Sequence, residues 1–346
     1  MSTRTVLVFR IGSLGDTIVA LPCFHHIARA FANFRRVLIT DVAGSPKAAS
    51  VDKILAGSRL IDDVIDFPPP PRGVRQLLTL RTRIRETRAC VLVYVADRDA
   101  LATLRDVLFF RLCGIRYVIG APLARDLRRA RIDPETGHEE HEAERLVRCL
   151  SSLGAVDLED RAVWDLRLRV DERRAAEVAL APLAGRGFIA VSVGGKAARK
   201  DWGDTNWREL LSLLAAEWPD LGLVFFGASE EFDRSAGLST AWTGKALNFC
   251  GCLTPRESAA AIEHAMLYIG HDNGPMHLAA AAGVPCVAMF GDFNVPKRWH
   301  PMGMGHRIIH DMRGIRAIPA RNVHAAVSEA LAKTLIHVPE FISRVT

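Results

Sequence analysis

The stretch that decides the fold is Ile269-Gly270-His271-Asp272-Asn273-Gly274-Pro275-Met276-His277-Leu278-Ala279-Ala280-Ala281-Ala282-Gly283-Val284-Pro285. The apolar run that leads into it, residues 266–269, predicts a strand that ends at Gly270. Pro275 is tolerated in the first turn of a helix, the alanines favour helix formation, and Gly283 ends the helix. A further apolar run, residues 284–290, predicts the next strand. The order is therefore strand, polar turn, helix, strand.

The polar turn of this unit indicates an anion site. Asp272 or Asn273 can cap the helix, so that its first N–H groups and its dipole point at one spot. Gly274 lets the backbone approach a ligand closely. A phosphate or diphosphate suits such a turn, but an ordinary strand–helix–strand crossover with a polar turn accounts for it equally well.

Strands and helices alternate in the rest of the chain. The first strand is predicted at residues 6–11, and a second set of strands begins at 188–193, after a segment of mixed character at 157–171. This alternation implies parallel sheets with right-handed crossovers. The length is sufficient for two such domains of about 170 residues each. The predicted parts are a first domain at 1–165, a second at 172–320, and a C-terminal helix in 321–346, for which packing back on the first domain is one option.

The composition is that of an ordinary soluble protein, with 49% hydrophobic and 24% charged residues. No apolar run approaches the ~20 residues that span a bilayer, and the early first strand predicts no secretory signal. The seven cysteines are scattered through mostly apolar segments, which favours buried thiols in a reducing compartment. These features predict a cytoplasmic protein.

The net charge of +6 is carried largely by arginines, which cluster in residues 72–88 and 125–131. Such clusters suit anionic lipid, nucleic acid or a phosphorylated glycan, although a solvated face explains them too. Few aromatic side chains lie near either cluster, which argues against single-stranded nucleic acid.

A carboxylate follows the first strand, at the sheet edge where α/β proteins bind their ligands. Asp16 ends the turn Gly12-Ser13-Leu14-Gly15-Asp16, which has neither the glycine spacing of a dinucleotide fingerprint nor the lysine of a P-loop. Asp16 can act as a general base on a sugar hydroxyl, or it can simply cap its helix.

Two turns of the second domain carry groups that suit a nucleotide. The turn Gly194-Gly195-Lys196 is followed by Arg199 and Lys200. Their cations can hold phosphate oxygens and stabilise a leaving diphosphate, or they can form a solvated basic loop. Glu230 and Glu231 follow another strand, where a carboxylate can accept hydrogen bonds from ribose or favour a helix N-terminus.

Metal-binding motifs are weak in this chain. Asp97-Arg98-Asp99 has the D-x-D form associated with metal-dependent sugar transferases, but such triplets arise often by chance. His138-Glu139-Glu140-His141 lacks the H-E-x-x-H spacing, and Cys250-x-Cys252 is too tight for the usual zinc pair. We predict no metal ligand.

Taken in order, these residues resemble the ADP-heptose:lipopolysaccharide heptosyltransferases of glycosyltransferase family nine. The similarity runs nearly from end to end, and the ordered set is specific although each motif alone is weak. The motifs are Gly12-Ser13-Leu14-Gly15-Asp16, His141-Glu142-Ala143-Glu144-Arg145-Leu146, Gly194-Gly195, Lys200-Asp201-Trp202, Asn206-Trp207, Gly227-Ala228-Ser229-Glu230-Glu231, Asp272 to Ala280, and Arg298-Trp299-His300-Pro301.

The resemblance implies a GT-B fold, in which two Rossmann-like domains with parallel sheets face a central cleft and the second domain holds the donor. It implies an inverting, metal-independent transfer of a heptose from an ADP-sugar, without a cofactor. Asp16 matches the general base, and Lys200 matches the lysine that meets the donor phosphates. Glu231, or its neighbour Glu230, matches the acid that holds the ribose, and Asp272 the acid that holds the donor sugar. The other predicted donor-binding residues are Gly195, Lys196, Asn273, Gly274, Pro275, Met276 and His277.

Three candidates, Gly15, Asp97 and Arg98, are assigned to the acceptor side by the same resemblance. The chain also departs from the family. The loop at 97–99 differs from that of the inner-core enzymes, Asn273 stands where members often carry threonine or serine, and residues 195–196 replace hydroxyl residues. These departures leave the donor sugar and the acceptor open.

The sequence thus predicts a cytoplasmic glycosyltransferase that uses an ADP-heptose-like donor and extends a lipopolysaccharide core or a related glycan. The arginine-rich surface of the first domain would meet this anionic acceptor near the inner membrane. Nucleic acid is not an expected partner. The alternatives are a GT-B enzyme with a protein or small-molecule acceptor, and a nucleotide-sugar-binding protein without transfer activity.

Overall fold

The structure is a computed structural model that describes residues 4–41, 49–69, 71–195 and 197–336, with the side chains of residues 335 and 336 left out. The chain divides after Arg169 into two units, residues 1–169 and 170–346. Each unit is a parallel sheet with helices between its strands, which confirms the predicted α/β class.

The first unit is built on a sheet whose central strand is buried at every residue. Its strands are β1 (Thr5–Phe9), β2 (Arg35–Thr40), β3 (Asp63–Asp66), β4 (Val91–Tyr94) and β5 (Tyr117–Ile119). They pair in the order β3-β2-β1-β4-β5, all parallel. Burial on both faces explains why β1 is apolar at every residue after Thr5.

The helices described in the first unit connect these strands. They are α1 (Leu14–Val19), α2 (Leu21–Ala30), α3 (Val51–Leu55), α4 (Val74–Glu86), α5 (Ala100–Leu112), α6 (Arg125–Arg128) and α7 (Glu142–Cys149). The sequence predicts a single helix from Thr17 to Phe31, and this prediction is wrong, because the helix is interrupted at Ala20. Pro22 causes the break: it has no N–H to donate and is tolerated only in a first turn, which here is that of α2.

The second unit has a larger sheet. Its strands are β6 (Phe188–Ser192), β7 (Gly222–Phe225), β8 (Ala246–Asn248), β9 (Leu267–His271), β10 (Cys286–Phe290) and β11 (Arg307–His310). The order is β11-β10-β9-β6-β7-β8, again all parallel. The sequence did not predict β11, a short strand that begins and ends with charged or polar residues.

The helices described in the second unit complete its core. They are α8 (Val170–Leu180), α9 (Asp204–Glu217), α10 (Phe232–Ser239), α11 (Pro255–Ile262), α12 (Gly274–Ala281) and α13 (Ala320–Ile336). Trp202 and Trp207 are fully buried and meet edge to face, with 5.0 Å between ring centroids. The indole of Trp202 donates to the carbonyl of Ile318, just ahead of α13.

Helix α13 contributes to the core of the second unit through Val323, Val327 and Leu331. Residues 337–346 lie outside the described part of the chain. The packing of residues 321–346 on the first unit therefore stays a prediction.

The strand order indicates where each sheet would bind a ligand. In each sheet, the first strands along the chain are added on one side of the starting strand and the later strands on its other side. The strand order therefore reverses between β1 and β4 in the first sheet and between β6 and β9 in the second. Open α/β sheets bind ligands beyond the carboxyl ends of the strands at this reversal. Residues after β1 and β4 in the first unit, and after β6 and β9 in the second, are therefore in position to contact a ligand.

All seven cysteines are free. Cys90 in the first unit and Cys252 in the second are exposed, and the other five are buried, as the sequence predicted for most of them. Among the described helices, none combines the length and the apolar character that crossing a bilayer requires.

Candidate active site

The turn between β9 and α12 is held by Asn273. Its Oδ1 caps α12 by accepting from the N–H of Met276 at 3.0 Å, and it also accepts from the hydroxyl of Tyr268 at 3.1 Å. Its Nδ2 donates to Ser192 Oγ at 3.0 Å and to the carbonyl of Gly194 at 2.9 Å. One side chain thus ties the end of β6 to the start of α12 at the reversal point of the sheet.

The predicted helix start is confirmed in detail. Asn273, not Asp272, is the cap, Gly274 is the first helical residue, and Pro275 lies in the first turn, where its missing N–H costs nothing. Met276 and His277 are buried. This geometry presents the positive end of α12 at the turn, which suits an anionic group.

Asp272 is the most strongly perturbed carboxylate of the site. Lys200 Nζ and Asn294 Nδ2 both donate to its Oδ2, and His277 Nε2 lies 3.6 Å from its Oδ1. Burial disfavours the charged form, but the hydrogen bond from His277 and the charge of Lys200 outweigh it. The pKa of Asp272 therefore lies well below its usual range, and the group is a carboxylate at neutral pH.

Lys200 occupies the centre of this cluster. Besides its ion pair with Asp272, its Nζ lies 4.5 Å from the centroid of the Phe293 ring. Arg199, the neighbouring cation, instead pairs with Asp292. Lys196 lies outside the described residues, so the structure does not place it.

The two glutamates after β7 have different positions. Glu230 is exposed, and its Oε2 accepts a hydrogen bond from the hydroxyl of Ser229. The carboxylate of Glu231 instead packs against two glycines: a Cβ on Gly194 would lie 1.3 Å from Glu231 Oε1, and one on Gly227 would lie 2.0 Å from Oε2. Glu231 is thus held between the ends of β6 and β7, where burial raises its pKa.

Gly195 lies next to His271 and Lys200. A Cβ there would meet His271 Cε1 at 3.3 Å and Lys200 Cβ at 3.6 Å. His271 is fully buried, and its Nε2–H donates to the carbonyl of Val193, 3.2 Å away. Burial lowers the pKa of His271 to about 4, so the imidazole is neutral near pH 7.

The candidate base of the first unit takes part in a capping box. Asp16 Oδ2 accepts from the N–H of Ser13 at 2.8 Å and from its hydroxyl at 2.6 Å. Gly12 permits this approach, because a Cβ there would lie 2.8 Å from Asp16 Cβ. Helix capping by Asp16, one of the two roles weighed from the sequence, is therefore present. Its role as a base stays a prediction.

The acceptor-side candidates lie at the same sheet edge. Gly15 is the second residue of α1. Asp97 pairs with the fully buried Arg145 at 3.2 Å, and Arg98 pairs at 3.1 Å with Asp106, which is itself buried. The described contacts of Asp97 and Arg98 are thus with protein groups.

Sequence reasoning missed several residues that build these edges. Asn294 follows β10 and reaches Asp272, and buried Arg10 follows β1, where it donates to the carbonyls of Val95 and Asp16. Both could have been found by asking which polar residues follow an apolar strand. The role of His271 depends on burial, which the sequence alone did not show.

The second unit therefore places a carboxylate, a lysine and a helix N-terminus at the reversal point between β9 and β6, and a half-buried glutamate between the ends of β6 and β7. Such a set can bind the sugar, diphosphate and ribose portions of a nucleotide-sugar. Within the described ranges, no group of three or more histidine, cysteine, aspartate or glutamate side chains has the arrangement of a metal site.

Comparison with known proteins identifies the family of the chain. The family model described as glycosyltransferase family 9 (heptosyltransferase) matches residues 114–317, more than half of the chain. No curated protein matches the chain by sequence.

Three solved structures share the fold at low identity. A family 9 glycosyl transferase from Veillonella parvula DSM 2008 is 16% identical, with TM-score 0.73, over 96% of this chain and 98% of that chain. The E. coli ADP-heptose lps heptosyltransferase II is 16% identical, with TM-score 0.71, over 95% and 99%. The E. coli heptosyltransferase WaaC, solved with ADP, is 15% identical, with TM-score 0.67, over 94% and 99%. These likenesses confirm the predicted fold class.

Proposed function

Because this chain belongs to glycosyltransferase family 9, we propose that it moves a heptose or similar sugar from an ADP-sugar to a lipopolysaccharide core or related glycan. The transfer inverts the anomeric centre and uses no metal. That the chain is a glycosyltransferase follows from its family. The nature of donor and acceptor is the proposal, and the observation that carries it is the Asp272–Lys200 pair beside the N-terminus of α12.

The donor lies on the second unit. Lys200 and the first N–H groups of α12 meet the diphosphate beside Gly195, and Lys196 is assigned to the same group from the sequence alone. Glu231, rather than the exposed Glu230, accepts from the ribose hydroxyls, and Asp272 accepts from hydroxyls of the sugar. The structures named for ADP-heptose transfer or solved with ADP support an adenine-linked donor.

The chemistry is a single displacement. The acceptor hydroxyl oxygen forms a bond to the anomeric carbon while the bond from that carbon to the diphosphate oxygen breaks. The proton of the hydroxyl passes to the carboxylate of Asp16, and ADP leaves with the electron pair. Lys200 and the α12 amides stabilise the charge that develops on ADP. The bonds from Ser13 hold the Asp16 carboxylate in one orientation for this transfer.

The acceptor is anionic. Arg98 lies at the carboxyl edge of the first sheet, and burial together with the charges of Arg105 and Arg98 lowers the pKa of nearby Arg72. A local excess of guanidinium groups of this kind attracts phosphate or carboxylate on a glycan or glycolipid. Such an acceptor places the enzyme in the cytoplasm, in peripheral contact with the inner membrane.

The capping role of Asp16 favours one alternative, a nucleotide-sugar-binding protein without transfer activity, and two variants separate this alternative from the transferase. Asp16→Asn keeps an oxygen that accepts from Ser13 but cannot take a proton. It is expected to bind ADP-heptose normally and to lose transfer by a factor of about 10² to 10⁴. Ser13→Ala weakens the cap but keeps the base, so it retains most of the transfer.

The assay follows product formation by mass spectrometry with ADP-heptose and a lipopolysaccharide core acceptor. Full activity in Asp16→Asn would exclude Asp16 as the base. A purified chain that binds ADP-heptose but forms no product and releases no ADP, with any acceptor tried, would instead favour the binding protein. Thermal stabilisation by ADP but not by UDP or GDP tests the donor base separately, since a ligand stabilises the fold that binds it.

A further inference from the structure

Helix α5 carries leucines on the side that faces away from its sheet. Leu101, Leu104, Leu108 and Leu112 are 80%, 46%, 55% and 72% exposed. Their spacing of three, four and four residues places them in one stripe. The opposite side of α5 packs on the sheet through buried residues such as Phe110. A helix that is apolar on both sides normally buries both of them.

Helix α4 extends this apolar surface. Both helices reach the same core cluster, through Leu80 and Ile84 of α4 and Phe110 of α5. Arg81 Nε of α4 also donates to the carbonyl of Leu112 at 3.3 Å. The α4–α5 face comprises the exposed apolar residues Val74, Leu78, Leu101, Leu104, Leu108 and Leu112.

The exposed charges carried by helices α4 and α5 themselves are mostly positive. The acids within the two helices are Glu86 and Asp106, and Asp106 is buried against Arg98. The exposed arginines of the two helices are Arg75, Arg81, Arg83, Arg85, Arg105 and Arg111. A second copy of the chain docked face to face would bring two such sets together, which like-charge repulsion disfavours. A negatively charged partner complements them.

We propose that the α4–α5 face seats this protein on an anionic phospholipid bilayer. The leucines enter the boundary between headgroups and acyl chains, and the arginines meet the lipid phosphates. Helix α5 begins directly after the segment that holds Asp97 and Arg98, so the face adjoins the edge of the sheet assigned to the acceptor. The inference deepens the proposed function, because it names the surface on which a membrane-held acceptor is met.

Vesicle co-sedimentation tests the proposal on the full chain. Wild-type protein is expected to bind vesicles of phosphatidylcholine mixed with phosphatidylglycerol and to bind pure phosphatidylcholine weakly, with the difference shrinking at high salt. Leu104→Gln/Leu108→Gln is expected to lower the partition coefficient about tenfold or more. The matched control is Val170→Gln/Val178→Gln, at exposed apolar positions of α8.

A second double substitution tests the contribution of the arginines. Arg75→Gln/Arg85→Gln is expected to lower binding to the anionic vesicles roughly tenfold at low salt, since each arginine near the surface contributes to attraction. Its matched control, Arg174→Gln/Arg186→Gln, removes the same charge from exposed positions of the second unit. Unchanged far-UV circular dichroism melting shows that each variant is folded.

Equal vesicle binding by wild type and both α4–α5 variants would overturn the proposal, as would a wild type that binds neither vesicle. A leucine variant that converts a dimer into a monomer by light scattering, with vesicle binding unchanged, would assign the face to a second copy instead. Vesicle binding is measured without donor or acceptor. Its failure therefore leaves the proposed transfer untouched, and a failed transfer assay leaves the vesicle result standing.

Discussion

Asn273→Ala is expected to destabilise the second unit by about 3 kcal/mol. Loss of the helix cap contributes about 1 kcal/mol of this. The remainder, about 2 kcal/mol, comes from buried groups that lose their partner. Tyr268 is fully buried, and burial raises its pKa, so its hydroxyl keeps its proton. In the variant this hydroxyl loses Asn273 Oδ1 as its acceptor. Ser192 Oγ and the carbonyl of Gly194 lose their donor as well.

Urea unfolding followed by tryptophan fluorescence measures this loss. Five of the six tryptophans belong to the second unit, so the signal reports mainly on its unfolding. Asn273→Ser restores the cap but not the other bonds and is expected to recover about 1 kcal/mol. Asn206→Ala is the control, because Asn206 Nδ2 makes one bond, to the carbonyl of Trp202, and should cost only about 1 kcal/mol. If Asn273→Ala costs no more than Asn206→Ala, Asn273 does not join β6 to α12 in the way described.

Two further predictions concern the same sheet edge. In Gly194→Ala the new methyl group would lie 1.3 Å from Glu231 Oε1 and must displace that carboxylate, so the affinity for ADP measured by calorimetry should fall about tenfold or more. In the control Gly195→Ala, the nearest neighbour of the methyl group lies at 3.3 Å, so this variant should bind ADP nearly as well as wild type. Equal ADP affinities of the two variants would contradict the ribose role of Glu231. His271 titrates near its usual pKa in the unfolded chain but at about 4 when folded, so the unfolded state binds the extra proton and stability should fall by about 3 kcal/mol as the pH drops from about 6.5 to 4. His271→Gln should flatten this part of the urea-derived stability profile, and an unchanged slope would show that His271 is not neutral in the folded protein.

The strands that were predictable are those with an uninterrupted apolar run. Burial on both faces forces the composition of β1, β9 and β10, so the sequence displays them directly. Strand β11 begins with Arg307 and ends with His310, and only its pairing with β10 stabilises it as a strand. The interruption between α1 and α2 at Ala20 could have been predicted from Pro22, which cannot lie inside a helix. The apolar pattern on both sides of Ala20 suggested one continuous helix instead.

The sequence named candidate site residues but could not predict their contacts. Asp272 and Lys200 were both candidates, yet 72 residues separate them, and only the folded sheet brings them into an ion pair. The choice between Glu230 and Glu231 likewise depends on two glycines from different strand ends, which no local pattern reveals. Asn294 was missed because its described contact is a hydrogen bond to another side chain, and no sequence motif marks such a residue.

The placement of the exposed thiols has a practical consequence. Cys90 and Cys252 are accessible, one in each unit, while the remaining sulfhydryls are shielded. A pair of maleimide dyes can therefore be attached to the natural chain without any engineering. Energy transfer between the dyes would then report, molecule by molecule, whether the two halves change their separation when a nucleotide is added.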